Sequence, residues 1–112
     1  MQIIKDKISK SELGEMAKSI FGDFVKGVVD LEKEILAVDA ELHADLEAWL
    51  LENGSKQENL WGINLYPGLS GADFVEFDSM INIRPRQNNR SRDVESPEVR
   101  EKIIVVINKL VF

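Results

Sequence analysis

Hydrophobic positions recur at helical spacing in three places along the chain. Leu13, Met16, Ala17, Ile20 and Phe21 follow the i, i+3, i+4, i+7, i+8 rhythm of one buried helix face. Ser9 and Glu12 stand ahead of them at capping-box spacing, with Ile8 and Leu13 placed for a hydrophobic staple, so the pattern predicts a helix over 10–21 closed by Gly22. Leu46, Trp49 and Leu50 predict a second helix over 43–53, stopped at Asn53-Gly54. Ser96-Pro97-Glu98 offers an N-cap, a proline at the first helical position and an acid at the positive end of the dipole. Val99, Ile103, Val106, Ile107 and Leu110 then predict a third helix over 97–110. The β-branched run from Ile103 to Ile107 would also suit a strand, but the cap and the spacing favour the helix.

The stretches between these helices read as strands. Phe24 to Leu31 and Ile35 to Val38 are valine-rich or aliphatic on either side of the polar Glu32-Lys33 break, which predicts a β-hairpin. Leu60 to Tyr66 is apolar up to Pro67. From Phe74 to Ile83 the side chains alternate, with Phe74, Glu76, Asp78, Met80 and Asn82 on one side, and this predicts a second hairpin. Ile3 and Ile4 could add an edge strand or fray. The expected fold class is α+β, an antiparallel sheet of four to five strands with three helices packed mainly on one face, in a single compact domain over residues 1–112.

Composition narrows the function classes. The chain has 112 residues, 44% hydrophobic and 30% charged, the balance of a globular domain rather than a disordered tail. With no cysteine there is no disulfide framework, thiolate nucleophile or sulfur-based zinc site, so the expectation is a cytoplasmic protein. The opening MQIIKDKISK lacks the apolar core of a signal peptide, and no segment is apolar enough for a membrane span.

Charge is unevenly spread. The net charge of −6 argues against generic nucleic-acid binding. Yet residues 1–83 carry 16 acidic groups against seven lysines, whereas residues 84–92 hold four of the five arginines and no acid. Guanidinium groups bind phosphate or carboxylate bidentately, so Arg84, Arg86, Arg90 and Arg92, with Asn88, Asn89 and Ser91 between them, form a candidate anion site. The plainer reading leaves these arginines solvated or paired with the acidic excess elsewhere.

The segments ELHAD (Glu41–Asp45), GSKQENLWGINLYP (Gly54–Pro67), FDSMINIRP (Phe77–Pro85) and NNRSRDVESPEVR (Asn88–Arg100) together resemble a family of small uncharacterised prokaryotic proteins, a domain of unknown function. The resemblance spans nearly the whole chain. It implies a compact α+β domain and brings no activity, cofactor or catalytic residue with it.

His43, the only histidine, stands between Glu41 and Asp45 at the predicted start of the second helix. An imidazole beside a carboxylate can act as a general base, but Glu-X-His-X-Asp is not a metal-ligand spacing, and the residue could equally pack or cap the helix start. Trp49, Trp61 and Tyr66 lie on different elements and read as core or rim residues rather than a stacking platform. There is no phosphate-binding glycine loop, nucleophile elbow, zincin motif or calcium loop, so no metal and no cofactor is expected.

Two functions from different classes therefore compete. The first is a non-enzymatic interaction module that binds an anionic small molecule or an acidic protein surface through the Arg84–Arg92 loop. The second is a small hydrolase or metal-independent nuclease with His43 as general base, Glu41 or Asp78 orienting it, and Arg84 or Arg90 stabilising an anion. The enzyme needs His43 and the arginine loop in one cleft; the binding module does not. A homodimer is also expected, because Ile104, Val105, Val111 and Phe112 exceed what one helix face buries, unless the sheet curls round the helix to cover them.

Overall fold

The computed structural model describes residues 1–112. Its centre is a five-stranded antiparallel sheet of β1 (Gln2–Ile4), β2 (Val25–Asp30), β3 (Ile35–Val38), β4 (Leu60–Leu65) and β5 (Val75–Glu76), in the order β1-β3-β2-β4-β5. Around it lie α1 (Lys10–Ser19), α2 (His43–Glu52) and α3 (Pro97–Leu110). The fold is α+β, with the expected alternation of helices and strands.

Local chemistry sets the helix starts. Ser9 accepts from the Glu12 N–H at 3.0 Å, and Ser96 caps α3 in the same way through the Val99 N–H. α1 ends at Ser19, two residues short of the expected end. The chain is turned out by Gly22, whose φ of 97° suits glycine and whose N–H closes on the Ala17 carbonyl at 2.6 Å. At the other end of the molecule the Ile8 N–H donates to the Leu110 carbonyl and the Phe112 N–H to the Ile8 carbonyl, which ties the close of α3 to the start of α1.

Strand periodicity distributes the core between two faces. Val25, Val29, Leu36, Val38, Trp61, Ile63 and Leu65 point one way and are covered by α1 and α3, in a buried cluster with Leu13, Ile103 and Ile107. Val28, Ala37 and Leu60 point the other way and meet Leu46 and Leu50 of α2. Two of the three helices thus share a face, and α2 stands alone on the other. Asp30, itself buried, accepts from the Glu32 and Lys33 N–H groups at 2.9 Å and from Ser55 Oγ at 2.6 Å, so it shapes the β2–β3 turn and anchors the chain leaving α2.

The main departure from the sequence reading lies between residues 77 and 83. Alternation predicts a strand over 74–83, but β5 ends at Glu76 and residues 80–82 form a 3-10 turn capped by Ser79. The outer edge of β4 is completed by a side chain instead. Asn82 accepts from the Gly62 N–H at 2.8 Å and donates to the Gly62 carbonyl at 3.0 Å, as a paired strand would. Gly62 is required for this approach, because a Cβ there would lie 2.5 Å from both Cβ and Oγ of Ser79. The bland face of an alternating segment thus hides a buried amide that replaces backbone pairing.

The surplus apolar residues of α3 divide. Ile104 and Val111 are half-buried against the main core, while Val105 and Phe112 are 49% and 68% exposed. No helix is long and apolar enough to cross a membrane.

Replacing Asn82 by Ala strands two buried backbone groups of Gly62 and should lower unfolding stability by about 2–6 kcal/mol, at roughly 1–3 kcal/mol per orphaned group. Gly62→Ala should cost about 1–3 kcal/mol through overpacking against Ser79. Urea titration of both variants checks this, and unchanged midpoints would show that the 77–83 segment does not brace the sheet.

Candidate functional site

The arginine loop is built mainly from its own internal bonds. Asn89 is buried; its amide donates to the carbonyls of Asn82, Ser91 and Asp93, and its Oδ1 accepts from the Glu95 N–H. Asn88 takes a left-handed conformation at φ 59° that asparagine tolerates, turning the chain after the 3-10 turn at Pro85–Gln87. The Glu95 carboxylate accepts from the N–H groups of Arg90 and Ser91 at 2.9 Å and from Ser91 Oγ at 2.7 Å. Those bonds, Ser91 Oγ foremost, hold the Glu95 carboxyl below the usual range. The anion seated on this backbone is the chain's own.

The four guanidinium groups have separate fates. Arg84 lies over Trp61, 4.2 Å from the ring centroid, and donates to the carbonyls of Gln57 and Leu60; partial burial lowers its pKa, against the attraction of Glu47. Arg92 pairs with Asp78 at 2.6 Å, both groups remaining about half-exposed. Arg86 and Arg90 are exposed and form no ion pair. Arg100, outside the loop, covers Phe77 and bonds to Asp93 and the Val94 carbonyl.

A second feature is a cleft of about 310 Å³ at the N-terminal end of α2. His43, Asn64, Asp78, Ser79 and Arg92 line it, so His43, Asp78 and one loop arginine do share a cavity. Glu41, Arg84 and Arg90 do not line it; Glu41 is exposed on the segment before α2. His43 is 7% exposed and does not cap the helix, whose N-cap is Leu42. Its Nε2 lies 2.8 Å from the Ile63 carbonyl; a carbonyl only accepts, so Nε2 carries the hydrogen and the neutral ring keeps Nδ1 as a free acceptor. Burial, with help from Lys26 and Arg92, depresses the His43 pKa despite the Ile63 bond and Asp78.

Asn64 is the other buried polar group of this cleft. Its Nδ2 donates to Glu76 Oε1 at 2.8 Å and to the Asp78 carbonyl at 3.3 Å, which fixes the amide's orientation. Its Oδ1 is shielded from solvent and has no partner. Glu76 also accepts from Tyr66 at 3.1 Å, and burial together with that carboxylate raises the Tyr66 pKa. Lys26 reaches over the Phe21 ring, 5.1 Å from its centroid, and Phe24 supplies an aromatic wall. Leu42 and Met80, 56% and 65% exposed, stand at the mouth. The sequence reading overlooked Asn64, yet a signal was present: it is the one polar side chain in the buried strand Leu60–Leu65.

No group of acidic or histidine side chains is arranged to hold a metal ion. The family model described as "Protein of unknown function (DUF5674)" matches residues 2–110, and the chain belongs to that family. No curated protein matches it, and neither does any solved structure.

The loop arginines should separate on mutation. Arg84→Ala loses the stacking on Trp61 and two carbonyl bonds and should cost about 1–2 kcal/mol after allowance for partial exposure, whereas Arg90→Ala should stay within about 0.5 kcal/mol. Thermal melts compare them directly. For His43, the unfolded ring with its ordinary pKa of 6.5 takes up a proton more readily than the buried ring. Stability is therefore fully present above that pH and declines as the pH falls below it. Denaturation of the native protein and of His43→Gln from pH 7.5 to 5 should show the native curve losing ground relative to the variant; parallel curves would contradict the buried neutral state.

Proposed function

We propose that this member of the DUF5674 family is a non-enzymatic binding domain whose site is the cleft at the N-terminal end of α2. The observation that carries the reading is His43, a neutral histidine whose Nδ1 has no partner, in the wall of a cavity that it shares with Asn64, Asp78, Ser79 and Arg92. A small cleft with a few converging polar groups and apolar walls is the usual form of a small-molecule site.

Within this reading the Arg84–Arg92 loop acts mainly as scaffold, and it contributes Arg92 to the cleft wall. Anion capture by the loop itself would fall to Arg86 and Arg90, whose side chains are exposed and in no ion pair.

A second reading, the hydrolase, draws support from one observation. The backbone carbonyl of Ile63 holds His43 in the tautomer a general base needs, and Asp78, Arg92 and the Ser79 hydroxyl line the same cleft.

A fragment library titrated into ¹⁵N-labelled protein distinguishes these functions. Binding at the cleft is expected to move the amide signals of His43, Asn64 and Met80, and to be lost in Asn64→Leu variants that keep the native spectrum elsewhere. Signals moving only at Arg86 and Arg90 would transfer the function to the loop. Turnover of p-nitrophenyl esters or phosphodiesters that disappears in His43→Gln would establish the enzyme instead.

A further inference from the structure

Resting on the cleft as the binding site, we infer that its ligand carries a carboxylate, held by the first amides of α2 and the Arg92 guanidinium, and that it binds together with a proton on His43 Nδ1. Unpaired donors along one wall and an accessible ring nitrogen without a partner carry this separately.

α2 opens on Leu42, an N-cap that has no side-chain oxygen to offer. The Asp45 N–H turns back to the Leu42 carbonyl, whereas the N–H groups of His43 and Ala44 have no acceptor. Leu42, His43 and Ala44 line the cleft, which brings these donors and the positive end of the helix dipole to its wall. Arg92 lines the same cleft; its Nε is engaged by Asp78 at 2.6 Å, and its two terminal nitrogens are without partners. Backbone N–H groups and a guanidinium edge are the donors that a carboxylate accepts from.

Uncapped helix ends are common on protein surfaces, and the histidine distinguishes this one. His43 is 7% exposed, its Nε2–H is used on the Ile63 carbonyl, and Nδ1 has no partner. The side-chain atoms that are both sealed from solvent and partnerless belong to Glu47, Asn64 and Arg84, so Nδ1 is not sealed and opens where the ring lines the cleft. As a lone pair it repels a carboxylate oxygen; with a proton taken from solvent it donates to one.

Charge requires that proton. The charged groups lining the cleft with the ring are Lys26 of β2, Glu76 of β5, Asp78 of the segment that follows, and Arg92 of the loop. Glu41 and Asp45, the ring's neighbours in the chain, are exposed and lie outside the cleft. The two cations and the two carboxylates cancel, and both carboxylates are engaged, Glu76 by Asn64 and Tyr66, Asp78 by Arg92. Burial keeps the ring neutral while the cleft is empty. A bound anion favours the charged ring, and the proton then gives the cleft the single positive charge that a monoanion matches. A phosphate monoester, mostly dianionic at neutral pH, would leave excess negative charge beside Glu76 and Asp78.

Benzoate, benzamide and phenyl phosphate present one ring with three heads. Titrations at pH 7 followed by the amide signals of His43 and Ala44 are expected to show benzoate binding in the cleft, with benzamide and phenyl phosphate at least about tenfold weaker. Benzoate affinity should rise as the pH falls from 8 to 6, by up to about tenfold per unit, with the ring signals of His43 reporting its protonation in the complex. In His43→Gln the affinity should no longer vary with pH, and Arg92→Gln, a change at a half-exposed side chain, should weaken benzoate several-fold. Benzamide binding as tightly as benzoate, or unchanged benzoate affinity in Arg92→Gln, would overturn the carboxylate assignment while leaving the cleft as the site. Phenyl phosphate binding as tightly would overturn the charge match, and a flat pH profile in the native protein would remove the proton from His43. Cleft signals unmoved by all three probes would overturn the inference and the binding reading together.

Discussion

A single side-chain amide at the edge of the sheet determines much of what lies around it. Asn82 bonds to both backbone groups of Gly62 and so takes the place a longer β5 would occupy. Because that edge is satisfied by an amide, the chain is free to leave the sheet after Glu76, turn through residues 80–82 and return as the loop that Asn89 organises. The Asn89 amide donates to the Asn82 carbonyl, so the two asparagines are coupled: one holds the sheet and the other holds the loop to it. Without this arrangement Asp78, Ser79 and Arg92 would not stand beside the start of α2. The lack of a side chain at Gly62 is the steric condition for all of it.

The arginine cluster shows how a charge pattern can state chemistry without stating its use. Four guanidinium groups in nine residues attract attention as an anion site, yet Arg84 is spent on backbone carbonyls and an indole face, and Arg92 on Asp78. The backbone donors of Arg90 and Ser91 are met by Glu95, five and four residues further on. Irregular segments leave many backbone groups without helical or sheet partners, and long polar side chains are the means of satisfying them. A loop with this many polar residues is therefore as readily explained by its own accounts of donors and acceptors as by an external ligand.

What was legible in the sequence follows the range of the interactions involved. The starts of α1 and α3 are set by serine caps within three residues, and both are found where the caps predict them. The β2–β3 hairpin and β4 follow from apolar runs bounded by polar breaks or proline, and β1 pairs with β3 as the Ile3-Ile4 pair allowed. The strand expected over 74–83 was not legible, because its fate depends on Gly62 and Asn82, twenty residues apart, and alternation carries no information about an amide substituting for a strand. The candidate site divides similarly. His43, Asp78 and Arg92 were named from the sequence and share the cleft, while Asn64 and Glu76 join them only through the pairing of β4 with β5.

The position of the cleft follows from a mismatch in size between the two layers on that face. α2 has ten residues and so a length of about 15 Å and a width of about 10 Å, whereas five strands span on the order of 20 Å. One such helix covers Val28, Ala37 and Leu60 and stops at His43, which leaves the β2–β4–β5 end of the face uncovered by helix. The residues there are Lys26, Asn64 and Glu76, polar on the same face where their strand neighbours Val28 and Leu60 are apolar. The 77–82 segment closes over this end only in part, so a polar patch of sheet becomes the floor of a walled cavity rather than open surface. On the opposite face α1 and α3 together cover the sheet, and the strand residues there are apolar apart from Gln2 at the β1 edge. The polarity of Asn64 is thus matched to the one part of the sheet that the helices leave open.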